Sequence, residues 1–138
     1  MSLFVSLMVA AIVLIGIGLL VIILLTNKPG RHLNQAKYRE RWMTVMGGLD
    51  DTPSAMALTI IQADKLLDLA LKERGATGNT LGERMKSSKD LFSDRNGIWQ
   101  AHKLRNHIAH DDKIKLDIRK TRRALNSYKK ALADVGAL

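Results

Sequence analysis

From Leu3 to Leu25 the chain is apolar without a single charged side chain, and the pattern then changes abruptly. As a helix rising about 1.5 Å per residue, such a run covers a hydrocarbon core of about 30 Å. Residues 1–26 therefore read as an uncleaved transmembrane anchor. A cleaved signal would need a basic leading region, a shorter apolar core and a small-x-small cleavage site, whereas Met1-Ser2 carries no base and Leu24-Leu25-Thr26-Asn27 is a poor site. Gly16 and Gly18 are not at GxxxG spacing, so the span carries no signal for a helix-dimer seam.

Asn27-Lys28-Pro29-Gly30 ends the span, and residues 27–32 form a short linker. Beyond it the apolar positions recur with helical period. Tyr38, Trp42, Val45 and Leu49 predict an amphipathic helix ending near Gly47-Gly48. Asp50-Asp51-Thr52-Pro53 is a helix start, and a long helix runs from there to about Arg74. It presents Ala57, Ile60, Ile61, Leu67 and Leu71 on one side, with Gln62, Lys65 and Lys72 opposite. Thr80-Leu81-Gly82-Glu83 has capping-box spacing and opens a short helix to about Leu91. A turn over Ser93–Gly97 precedes a helix that reaches about Ala109. The last helix, from about Asp117 to Val135, carries the stripe Ile118, Thr121, Leu125, Tyr128, Leu132 and Val135, and Gly136 stops it. Met43, Met46, Met56 and Met85 read as core filler. No segment alternates with period two. The prediction is an all-α protein: one N-terminal transmembrane helix followed by a compact four- to five-helix bundle over residues 33–138.

Charge adds direction to this picture. The net charge of +9 falls entirely after residue 26, on a part of the chain long enough for one small domain. Lys28, Arg31, Lys37, Arg39 and Arg41 stand against the lone Glu40, so the positive-inside bias puts the domain in the cytoplasm and the N-terminus outside, with anionic lipid contact expected from Lys28 to Arg41. A basic balance favours phosphate-rich partners. Arg119, Arg122, Arg123 and Lys130 share the polar side of the last helix with Asn126, as a solvated face or as a contact for nucleic acid or lipid. The absence of cysteine excludes disulfides, thiolate nucleophiles and cysteine-based zinc sites.

The candidate chemistry sits in residues 98–112, which hold three of the four histidines. On a helical wheel Ala101, Leu104 and Ile108 form an apolar stripe beside Ile98 and Trp99. The polar face stacks His102, Asn106 and His110 at spacings of four, with Arg105 beside Asn106. A guanidinium and an imidazole within about a turn can hold a phosphate and move a proton. Asp64, a carboxylate among apolar positions of the long helix, is either a boundary residue reaching water or a partly buried partner for Arg105 or His102. Arg105 and His102 have a structural reading as well, in which they pair with Asp64, Asp111 or Asp112 to pin the helices together. A metal site from His107, His110 and Asp111 lacks a clear further ligand, so neither metal nor cofactor is expected.

Arg105-Asn106-His107-Ile108-Ala109-His110 resembles the Arg-x4–6-His motif of the HEPN superfamily, small helical bundles found in many RNA-cleaving toxins and defence nucleases. The likeness is detailed over 105–110 and loose over 33–136, and the motif lies late in the chain, as in that family. A second match, Arg95-x6-His102, straddles the expected helix start. The resemblance implies a homodimer through the bundle and metal-independent RNA cleavage by attack of the 2′-hydroxyl on the adjacent phosphate. Carried over by position, Arg105 holds the scissile phosphate, His110 acts as general acid or base and Asn106 orients them, with His102 and Asp64 in support. The competing expectation is a non-catalytic binding or scaffold module at the inner membrane face.

Overall fold

The computed structural model describes residues 3–26, 30–111 and 113–138. Among these the chain is all-helical: α1 Leu3–Thr26, α2 Gln35–Gly47, α3 Pro53–Arg74, α4 Leu81–Ser87, a 3-10 turn at Lys89–Leu91, α5 Arg95–His110 and α6 Ile118–Asp134. The expected linker residues Asn27, Lys28 and Pro29, and the expected pairing residue Asp112, lie outside the described residues.

The chain divides into two compact units, Met1–Gly30 and Arg31–Leu138. The first is α1, whose stretch Leu3–Leu25 is the one helix among the described residues long and apolar enough to cross a membrane. An exposed side chain such as Leu14 or Leu25, each 69% accessible, costs free energy in water and nothing in hydrocarbon.

The second unit is a five-helix bundle centred on α3, which packs against α2, α4, α5 and α6, while α5 and α6 pack on each other. That central position explains a correction to the sequence reading. Instead of one stripe, α3 buries Met56, Thr59, Ile60, Ala63, Leu66, Leu67, Ala70 and Leu71, because it has neighbours on several sides. The α6 stripe holds from Thr121 through Leu125, Tyr128, Leu132 and Val135, with Ala124 and Ala131 also buried. Each fully buried leucine or isoleucine contributes about 1.5–3 kcal/mol. Met43 departs from expectation: it is 66% exposed on α2, so only Met46, Met56 and Met85 fill the core or its edge.

Local chemistry sets the helix ends. Asn34, Thr52, Thr80 and Asp117 each cap a helix by accepting a backbone N–H from three residues on. At the far end of α3, Gly75 adopts φ +93°, and the amides of Gly75 and Ala76 close back onto the carbonyls of Lys72 and Leu71. The helix expected to reach Leu91 breaks at Ser87, whose hydroxyl bonds the Thr77 and Arg84 carbonyls, and the chain resumes as the 3-10 turn. Helix α5 starts at Arg95, earlier than expected, because the Asp94 carboxylate accepts the Gly97 amide at 2.9 Å and draws the anticipated turn residues into the first helical turn.

One ion pair, Arg84 with Asp68, fixes α4 to α3. Arg84, only 6% exposed, donates from Nε to Asp68 Oδ1 at 2.8 Å and also reaches the Gly78 carbonyl, while Lys72 pairs with Asp68 at 2.8 Å. Burial alone would raise the Asp68 pKa, but the hydrogen bonds and charges of Lys72 and Arg84 outweigh it and hold the carboxyl below its usual range.

Thr121 is fully buried on α6, and among the described residues its hydroxyl has no hydrogen-bond partner. An unpaired buried hydroxyl costs about 1–3 kcal/mol, so the isosteric change Thr121→Val is expected to raise the melting temperature, read by circular dichroism. A drop of several degrees would show that the hydroxyl is satisfied in solution.

Candidate functional site

The site is built around Asp64, which α3 presents at 5% exposure toward α5 and α6. Its Oδ1 accepts from His102 Nδ1 and from the Tyr128 hydroxyl, both at 2.8 Å. Its Oδ2 lies 3.3 Å from Arg105 Nε, an ion pair whose angle is too poor for a hydrogen bond, and among the described residues that buried N–H has no other partner. Arg105 Nη1 donates to Asn106 Oδ1 at 3.2 Å, and Asn106 Nδ2 lies 3.4 Å from His102 Nε2. Asp64, His102, Asn106 and Arg105 thus form a closed ring, which Tyr128 ties to α6.

Proton accounting in this ring is self-consistent. A carboxylate only accepts, so His102 carries its proton on Nδ1 and offers Nε2 to the Asn106 amide. Both ring nitrogens are then occupied. Burial, reinforced by the Asp64 charge and hydrogen bond, pushes the Tyr128 phenol far up, so it remains a protonated donor. Of the two basic partners expected for Asp64, the structure supplies both, and it adds Tyr128. The sequence placed Tyr128 in the apolar stripe of α6, where its hydroxyl gave no sign of its partner.

One wall of a cleft of about 550 Å³ is formed by this ring, with Asp64, His102, Arg105 and Asn106 facing Lys65, Asp68, Lys72, Asn79, Thr80 and Arg84. Four bases against two acids give the lining an excess of positive charge. Asp68 takes up Lys72 and Arg84, and Asp64 takes up Arg105. The guanidinium of Arg105 is therefore aimed rather than free, and two of its nitrogens are held by the ring.

His110 lies elsewhere. It is exposed as the last residue of α5 and does not line this cleft. It lies five positions after Arg105, about 7.5 Å along the helix axis and about 140° around it, so the two flank Asn106 rather than meet. His107 is exposed and lines a different groove, between α5 and α6. The second sequence match also comes apart, because Arg95 pairs with Asp90 at 3.0 Å while His102 is bound to Asp64.

The basic residues of α6 do converge. Arg119, Arg122, Arg123 and Lys130 line one open concavity of about 510 Å³ with Asn126 and Ser127, and among the described residues Asp94 is its one acid. No ion pair engages these four side chains among the described residues. Among the described residues no three His, Asp or Glu side chains are grouped so as to hold a metal ion, and His107, His110 and Asp111 form no such group.

No family model matches the chain, and no curated protein or solved structure matches it.

Proposed function

We propose that the chain is a membrane-anchored, HEPN-like ribonuclease that cleaves single-stranded RNA without a metal ion. The observation that carries this reading is the Asp64-centred ring, which holds Arg105 and Asn106 in the lining of a cleft with an excess of positive charge. Such a pairing is suited to a phosphate diester, because the rigid guanidinium matches phosphate oxygens and loses little freedom on binding. With both His102 nitrogens engaged, the proton-transfer role goes to His110, the exposed histidine that completes the motif with Arg105. Since Arg105 and His110 flank Asn106 on opposite sides, a second copy of the chain is the simplest source of the complementary group. The concave basic face of α6 serves the flanking phosphates. The bases that follow α1, from Lys28 to Arg41, favour a cytoplasmic site for the bundle and contact with anionic lipid.

The test uses the full chain in nonionic detergent with single-stranded RNA and EDTA. Cleavage leaving 2′,3′-cyclic phosphate ends is expected, with DNA of the same sequence left intact because it lacks the attacking 2′-hydroxyl. Intact RNA under all salt conditions would remove the catalytic reading.

A second reading rests on the same ring. Because Asp64, His102 and Tyr128 bind three helices to one another, the cluster also suits a scaffold whose surface binds RNA without turnover. Retention of RNA with no cleavage is the outcome it predicts.

A further inference from the structure

A second cleft, of about 420 Å³, opens where α4 and the 3-10 turn meet the start of α5. Its walls are apolar, made by Met85, Phe92, Ile98 and Trp99, and its rim is cationic, with Lys86 and Lys89 exposed. Arg95 also lines it, tied to Asp90, and among the described residues no acid lines it. The Lys86 ammonium stands over the Trp99 ring, 5.7 Å from its centre, so the indole face at the cleft is covered by an exposed lysine that must swing aside for a base to stack there. The same ring closes the gap to the Asp64 site. Its centre is 6.0 Å from that of His102, and a Cβ added at Gly82, which lines the Arg105 cleft, would stand 3.8 Å from Trp99 Cη2 and 3.7 Å from His102 Nε2.

We infer that this cleft is a base-binding subsite: it takes one nucleobase of a single-stranded RNA against the Trp99 ring, while Lys86 and Lys89 hold the adjoining phosphates. The assignment rests on the ribonuclease reading above and deepens it, by placing a base next to the cleft that Arg105 serves. An aromatic face between cations is the recurring means of holding single strands with little regard to sequence, since every base has a π-face and every linkage a negative charge. The apolar walls desolvate the base, and the His102 ring, 6.0 Å from Trp99, borders the cleft that Arg105 lines. Trp99 and Lys86 thus act as positioning residues, ahead of any bond breaking.

Tryptophan emission reads this directly, because the other tryptophan, Trp42, is buried in the core at 8% exposure. The full chain in nonionic detergent is titrated with a short oligouridylate carrying 2′-O-methyl groups, which binds but cannot be cleaved by its own 2′-oxygen. A matching abasic oligomer provides the phosphates without bases. The base-bearing strand is expected to quench emission and the abasic strand to bind without quenching. Trp99→Leu should weaken the base-bearing strand by roughly tenfold, the size of one base–aromatic stack, leave the abasic strand unchanged, and be rescued by Trp99→Tyr. Should Trp99→Leu fail to fold, the pair Lys86→Glu and Lys89→Glu, both at exposed positions, is decisive: quenching and affinity for both strands should fall. Undiminished affinity of a folded Trp99→Leu, or of the lysine pair, overturns the subsite while leaving the ribonuclease reading in place. Failure of the wild-type chain to bind either strand overturns both. An acidic, phenylalanine-bearing peptide that quenches Trp99 while RNA does not would make the cleft a peptide site and overturn the assignment.

Discussion

Asp64→Ala is expected to destabilise the bundle by about 3–5 kcal/mol, the cost of leaving buried partners without their charge. The change strips the Tyr128 hydroxyl of its acceptor in a fully buried position, removes the partner of His102 Nδ1 and leaves Arg105 without its counter-ion. For a unit of this size each kcal/mol corresponds to about 4–8 °C, so the melting temperature of residues 31–138 should fall by more than about 12 °C. Asp64→Asn keeps an acceptor oxygen for Tyr128 and should cost less. The pairing itself is measured by a double-mutant cycle with Tyr128→Phe, for which a coupling of about 0.5–3 kcal/mol is expected. Melting of Asp64→Ala within a few degrees of wild type would mean that the ring is not formed in solution.

The uneven legibility of this molecule follows from what each feature depends on. The helix starts at Pro53 and Leu81 and the end near Arg74 were readable because capping is local, settled by three or four neighbouring residues. The α6 stripe was readable because that helix has one buried side. The wide burial of α3 was not, since it depends on how many helices surround it, and that is decided by long-range packing. Asp64 stood out as a carboxylate out of pattern, and the exclusion of water around it explains why it must be paired. Tyr128 did not stand out, because a tyrosine in an apolar stripe is unexceptional until its hydroxyl is seen to meet a carboxylate sixty-four positions away. The Trp99 cleft was equally hidden, as its walls come from three separate elements. The motif itself was legible as spacing but not as geometry: Arg105 and His110 share a helix without sharing a cleft.

That separation yields the sharpest functional expectation, because it assigns different fates to two histidines of one helix. His110 is solvent-exposed at the end of α5, so His110→Ala should leave stability within about 0.5 kcal/mol of wild type, as surface changes away from caps and ion pairs do. If His110 supplies the transferred proton, the same change should lower RNA cleavage by about 10²–10⁴-fold, the usual worth of a positioned acid or base. His102→Ala should behave in the opposite sense. It removes a hydrogen bond to a buried carboxylate and the support of Asn106, so about 1–3 kcal/mol of stability is lost, and any fall in cleavage should follow the loss of folded protein or of Arg105 alignment. The measurement is a melt and a single-turnover cleavage rate for each variant under matched conditions. Cleavage at the wild-type rate in folded His110→Ala, combined with loss in folded His102→Ala, would transfer the proton-moving role to the ring and require Nε2 of His102 to leave Asn106 during the reaction.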